Sequence, residues 1–240
     1  MAIRTNPAFV AFRERGTNAI PLLLKVLQSG GPRLQRTIMK LNHKQNLVTL
    51  PYGQPWHQTT AAAWALYAMG SNASPALPAL TNLLFRSNIL ISTTTAMAGI
   101  GVEAIPVLLA ALTNRDYRIR HSAASGLGWE QTHLNIVVPA LIARLEDTNN
   151  LVRSAAAVSL GQLHSEPELT VPALIRYLSS DNSLFRGLIL ISLRDFGTNA
   201  RAAVPAIVSA LTDQDERVRQ NATFALKEID AEAAAKAGLK

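Results

Sequence analysis

Apolar residues recur at helical spacing along most of the chain, in short runs separated by clusters of Asp, Asn and Ser. Pro139, Leu141, Ile142 and Leu145 form one such run and predict an amphipathic helix. Asp147-Thr-Asn-Asn150 follows, and Ser179-Ser-Asp-Asn182 does the same one run later; both read as a turn that also supplies the next N-cap. The next run, Val152-Arg-Ser-Ala-Ala-Ala-Val-Ser-Leu-Gly161, predicts a second helix. Its small residues permit close helix packing, and Gly161 is placed to cap its C-terminus. The proline of the first helix is expected in the opening turn, where a missing N–H costs nothing.

This two-helix pattern repeats. An apolar-Pro pair recurs at Ile20-Pro21, Leu77-Pro78, Ile105-Pro106, Val138-Pro139, Val171-Pro172 and Val204-Pro205. The last four prolines, Pro106, Pro139, Pro172 and Pro205, stand at equal intervals, and an arginine follows each at one constant offset: Arg120, Arg153, Arg186 and Arg219. Each arginine follows an apolar residue (Ile119, Val152, Phe185, Val218). One such hairpin cannot bury its apolar face alone, so neighbours must stack. Two spacings break the period. The step from Pro78 to Pro106 is shorter, with Ser92 in the arginine position, and the step from Pro21 to Pro78 is too long for one unit and too short for two. The longer gap reads as a helix near 32–44, an insertion at 45–55 and a second-type helix at 56–70.

These residues resemble the HEAT-repeat family, and in particular the short bacterial repeats of the phycobilisome-lyase type. The matching stretch is Val138-Pro-Ala-Leu-Ile-Ala-Arg-Leu-Glu-Asp147 with Val152 to Gly161, and the likeness extends over 103–229 and more loosely over 56–102. The resemblance implies an all-α, right-handed α-solenoid of about six helical hairpins whose second helices line a concave surface. The expected layout is a single domain, 1–240. It comprises a divergent basic part at 1–55, regular repeats at 56–229 and a closing helix at 230–240, with Asp230 as cap and Glu232 paired with Lys236. The family is mostly one of scaffolds and adaptors, so the fold by itself implies little about activity.

Charge divides the chain unevenly. Residues 1–60 hold eight basic residues against Glu14 alone, while 61–240 hold 15 of each sign. The net charge of +7 therefore belongs to the first quarter. Arg33, Arg36, Lys40 and Lys44 fall at spacings of 3, 4 and 4, which aligns them as one stripe along a helix opposite Leu34, Ile38 and Leu41. Such a stripe suits nucleic-acid phosphates, anionic lipid or an acidic protein; a solvated helix face is the plainer alternative. Cysteine is absent, which excludes thiolate catalysis and sulfur-bound zinc. Pro and Gly interrupt the weakly charged stretch 45–102, and the first residues lack a long apolar run. A cytoplasmic protein without a transmembrane segment is expected.

The candidate binding surface follows from register. Positions 15, 16 and 19 after each proline escape the core, and alignment on Gly70 adds the corresponding places upstream. The lining becomes Trp64, Tyr67, His121, Ser125, Val158 and Phe224, with Ser154 and Gln220 beside them and Trp129 and Gln162 at the helix ends. In the repeat that begins at Pro172, Gly197 comes three residues late, which points to Leu190 or Arg194 as the lining residue. Aromatic, aliphatic and small polar groups suit a peptide better than a duplex; packing of Trp64 and Trp129 between repeats is the alternative. The four repeated arginines read as structural, their guanidinium groups bonding turns near Asp116, Asp147, Asp181 and Asp213. The five histidines have no metal-ligand spacing, and no phosphate-cradling loop or nucleophile elbow occurs. No cofactor and no enzymatic activity are expected. The resemblance leaves two minor enzyme readings, a bilin lyase and a glycosylase-like DNA enzyme. The expected function is a protein-binding scaffold, with nucleic-acid binding through the basic stripe as the alternative.

Overall fold

The computed structural model describes residues 16–29, 58–86, 90–130 and 132–239, and among them all regular structure is helical. Hairpins of helices stack side by side, which is the all-α solenoid class. The basic stripe Arg33, Arg36, Lys40 and Lys44 and the insertion at 45–55 lie outside the described residues. The chain divides into two compact units, Met1–Asn114 and Arg115–Lys240.

In the first unit, α1 (Ile20–Ser29), α2 (Gln58–Met69), α3 (Leu77–Arg86), α4 (Leu90–Ile100) and α5 (Ile105–Ala111) follow in order, and α2 packs against both α1 and α4. Every residue from Thr93 to Ile100 is buried. That stretch is made of Thr, Ala, Met, Gly and Ile, and the hydroxyls of Thr94 and Thr95 are bonded back to the Ile91 carbonyl at 3.1 and 2.9 Å. Polar side chains are thereby satisfied on their own helix, which lets the face approach α2 closely. The approach is closest at Gly99, where a Cβ would stand 2.1 Å from Tyr67 Cα.

The second unit contains α6 (Tyr117–Leu127), α7 (Leu134–Arg144), α8 (Asn150–Leu163), α9 (Pro167–Ile175), α10 (Ser183–Asp195), α11 (Val204–Ala210), α12 (Glu216–Ile229) and α13 (Ala231–Lys236). The second helices α6, α8, α10 and α12 pack consecutively, each along the next, and α7 and α11 pack on α8 and α12. Their N-termini are capped by Asp116, Asn149, Asn182 and Asp215, each accepting a backbone N–H from the first turn. At the end of the chain, the Asp230 carboxylate accepts the Ala233 N–H, and Lys236 pairs with Glu232 at 2.7 Å.

Two local expectations are corrected. Pro106 and Pro205 do sit in the opening turns of α5 and α11, but Pro139 and Pro172 lie inside α7 and α9, which begin five residues before them. Both internal prolines are exposed, so the carbonyl each one strands can be hydrated. Gly161 does not cap α8. The helix runs on to Leu163 and ends at His164 in the left-handed region (φ 34°). Gly161 is instead a packing residue, since a Cβ there would meet Ser192 Cα at 2.8 Å. Among the left-handed glycines, Gly70 (φ 63°) and Gly197 (φ 53°) each open a 3-10 turn, Gly70–Ala76 and Gly197–Ala203.

Candidate protein-binding face

The second helices of the C-terminal unit are held together by small residues and hydroxyls. Ser159 Oγ donates to the Ala124 carbonyl at 2.9 Å, and Ser192 Oγ donates to the Ala157 carbonyl at 2.8 Å. Both hydroxyls are fully inside, and each reaches a backbone oxygen of the preceding second helix, 35 residues earlier. Gly128 lies against Ser159 just as Gly161 lies against Ser192. A Ser and a Gly in each of these two contacts bring the helices close, and between α10 and α12 Asn221 Nδ2 donates to the Gly187 carbonyl at 3.3 Å.

Arginine and aspartate fix the same helices at their N-terminal ends. Arg120 donates from Nε and Nη2 to both oxygens of Asp147, at 2.8 and 2.7 Å, and from Nη1 to the Arg115 carbonyl. Arg186 repeats the fork on Asp213 at 2.8 and 2.6 Å and bonds the Ser180 carbonyl. Arg219 donates to the Asp213 and Gln214 carbonyls. Arg153 donates to the Asp147 carbonyl and to Asn150, and its guanidinium sits 5.6 Å from the Phe185 ring centre. All four repeated arginines thus bond the turns. Two of the four expected aspartates differ from expectation: Asp116 binds Arg118 and caps α6, and Asp181 is exposed with no fork onto it. The Arg186 fork, above all, holds the Asp213 carboxyl below the usual carboxylate range. For Asp147, burial pushes the carboxyl up, but the Arg120 fork, the Asn149 N–H and nearby arginine charge outweigh it, and the net direction is down.

Open to solvent on each second helix is a stripe, at spacings of 3, 4 and 4 on α6, α8 and α12 and of 4, 3 and 4 on α10. On α6 it runs Arg118, His121, Ser125, with Trp129 just beyond; on α8 Leu151, Ser154, Val158, Gln162; on α10 Leu184, Leu188, Ile191, Asp195; on α12 Arg217, Gln220, Phe224, Glu228. Leu151, Leu184 and Phe224 are 54, 65 and 58% exposed, an unfavourable position for large apolar groups in an unpartnered surface. Val158, Ile191 and Phe224 are each one repeat apart and so occupy one row across three adjacent helices.

The expected lining residues divide between the two units. In the first, Tyr67 is buried at 7% exposure and packs edge-on against half-buried Trp64 at 5.3 Å. Tyr67 is therefore a core residue and no anchor, because Gly99 brings α4 directly onto it. In the second, His121, Ser125, Val158 and Trp129 are half-buried, and Gln162 and Phe224 are exposed. Burial pushes the His121 imidazole below its usual range, and Ser125 Oγ donates to the His121 carbonyl. Leu190 is fully buried, Arg194 is half-buried and pairs with Asp195 at 3.4 Å, and Ile191 is the half-buried apolar residue of α10 one repeat from Val158 and Phe224. The late glycine had shifted the register. Leu151 and Leu184, two of the exposed apolar residues of the face, were missed because each directly precedes the apolar-Arg pair and reads as part of the helix core.

Glu130, at the end of α6, is buried and accepts the backbone N–H and the hydroxyl of Thr132. No group of three His, Asp or Glu side chains among the described residues is arranged to hold a metal ion, and no described helix is long and apolar enough to cross a membrane.

Comparison with known proteins agrees with this geometry. The sequence profile of HEAT repeats matches residues 86–161, 105–194 and 171–237, and that of the PBS lyase HEAT-like repeat matches 60–86. Among solved structures, a chain in the complex of CpcE and CpcF of phycocyanin lyase from Nostoc sp. PCC7120 is similar. Its identity is 21% and its TM-score 0.55, over 63% of this chain and 98% of that one. An engineered protein is similar at 21% identity and a TM-score of 0.52, over 90 and 98% of the two chains. Among curated proteins no relative matches.

Proposed function

Since this chain belongs to the HEAT-repeat family, we propose that it is a non-enzymatic scaffold that binds a segment of another protein across the exposed face of α6, α8, α10 and α12. The observation that carries this reading is the apolar row Val158, Ile191 and Phe224 with Leu151 and Leu184 beside it. About 25 cal/mol is available for each Å² of such surface that a partner covers. The Ser–carbonyl bonds and the arginine forks lie behind or beside this face and leave it unobstructed, so binding needs no rearrangement of the repeats. Phe224 is the natural anchor, and Trp129 closes the opposite corner. The similarity to a phycocyanin-lyase chain is at the level of fold, and no lyase chemistry is carried over from it.

A photo-crosslinking amino acid at Ile191 tests the reading, with the same group at Leu169 on α9 as control, since Leu169 is also exposed (54%) but lies off the face. In extract from the source cells, a discrete crosslinked product is expected from position 191 alone, and Leu184→Glu should abolish it. Equal products from both positions, or none from 191, would overturn the assignment.

A further inference from the structure

We infer that the partner segment is a polarised amphipathic helix, with an apolar strip on its contact side, carboxylates along one flank and basic residues along the other. This rests on the protein-binding reading above and specifies the partner's chemistry.

The occupant's secondary structure follows from the backbone. Every residue of the face lies on or next to a helix whose own N–H and C=O groups are bonded internally. An extended segment laid on it would find no strand edge, and its covered peptide groups would go unpaired. A helix brings its backbone already satisfied. Length is set by the rows. Adjacent packed helices are about 8–10 Å apart, so the row from Val158 to Phe224 spans about 18 Å, or about 12 residues of helix at about 1.5 Å each.

Charge sets the polarity. Arg118 and Arg217 occupy one edge of the face, with Leu151 and Leu184 between them in the same row. Asp195 and Glu228 occupy the other edge. Asp116 at 2.6 Å offsets Arg118, and Arg194 at 3.4 Å offsets Asp195, which leaves Arg217 and Glu228 on α12 as the stronger pair. These two stand three helical turns apart, hence about 16 Å along the helix, with Phe224 between them. A helix with its side chains is about 10–12 Å across, so one lying over Phe224 has Arg217 beside one flank and Glu228 beside the other. Between the edges the only ionisable group on the stripe is His121, which burial biases towards the neutral form. The row Val158, Ile191 and Phe224 thus asks for apolar contacts, and where the partner crosses α12 its two flanks meet opposite charges.

Three synthetic 18-residue helical peptides with one shared Leu/Ala face test this. One carries Glu on one flank and Lys on the other, one Glu on both, and one Lys on both. Binding to the full chain is read by fluorescence anisotropy at about 50 mM salt, where exposed charge is least screened. The mixed peptide should bind best, by about fivefold over either uniform one. In Glu228→Lys both flanks of Phe224 on α12 become basic, and the all-Glu peptide should become the tightest. In Arg217→Glu both become acidic, and the all-Lys peptide should lead. Both positions are exposed, and unchanged melting curves would verify that the variants fold. Equal binding of all three peptides, or an order that neither substitution changes, would overturn the polarity. If that equal binding is still lost in Ile191→Glu, the scaffold reading survives. Absence of binding by all three at about 1 mM would overturn the helical partner, while the crosslinking experiment judges the face independently.

Discussion

Arg120 and Arg186 each grip a carboxylate 27 residues further on, but Arg153 does not, because Ser180 stands where Asp147 and Asp213 stand one repeat to either side. Asp147 and Asp213 also accept the backbone N–H two residues ahead, and the Ser180 hydroxyl accepts that of Asn182 in the same way. Ser180→Asp should therefore complete the ladder by accepting the Arg153 fork. The gain expected is about 1 kcal/mol, a rise of about 2–4 °C in melting temperature by calorimetry; a fall would show that Arg153 cannot leave Asn150 and Phe185. The pairs already present make stability fall in acid. The folded carboxyls of Asp147 and Asp213 lie below their unfolded value of about 3.9, so their contribution is whole above that pH and is lost as pH drops through the folded values. Asp147→Asn strands the mostly buried Arg120. At pH 7 it should cost about 2–3 kcal/mol, and its melting temperature should decline less than that of the wild type between about pH 4 and pH 2. Parallel acid limbs would refute the assignment.

Elements were legible where one ruler applied and misread where two were confused. The constant spacing of prolines and arginines placed the helices and turns of the second unit because each repeat needs the same turn geometry at the same point. Glycine served two incompatible purposes. At Gly197 it supplies a left-handed φ that starts a 3-10 turn, whereas at Gly161 the φ is helical and the missing Cβ admits Ser192. The two look alike in sequence, and aligning one on the other points on α10 to Leu190 or Arg194 in place of Ile191, although Leu190 is buried. The glycines separate by experiment. Gly161→Ala places a methyl 2.8 Å from backbone, so α8 and α10 must part; we expect a loss of about 1–3 kcal/mol, with the amides of Ser159 and Ser192 perturbed in NMR spectra. Gly197→Ala meets open space and pays only for its backbone conformation, about 1 kcal/mol, with shifts confined to the turn. Equal effects on the α8–α10 amides would refute the distinction.

On the scale of the whole chain, the face was half visible in the sequence. Register gave Val158 and Phe224 because they obey the repeat. It could not give Tyr67's burial, which depends on how closely Gly99 lets α4 approach. Charge, in contrast, is fully legible without coordinates, and it sets the two binding readings apart. Residues 115–240 hold 14 basic and 14 acidic side chains, so the unit that carries the apolar face has no net attraction for a polyanion. The excess charge lies in residues 1–60, where Arg33, Arg36, Lys40 and Lys44 are the expected phosphate contacts. Four contacts to duplex DNA imply a log–log salt slope of about −3.6, hence a loss of about 100-fold between about 50 and 200 mM salt. A partner held mainly by Leu151, Leu184, Ile191 and Phe224 has little such dependence, because its contacts displace water and few counterions. With the mixed-flank peptide we expect affinity to change by less than about fivefold over that salt range. Changing the four basic residues to Glu should leave it unaltered, and Phe224→Ala should weaken it at least about tenfold. The steep slope in place of the shallow one, abolished by the four charge reversals, would move the function to nucleic acid and to the first quarter of the chain.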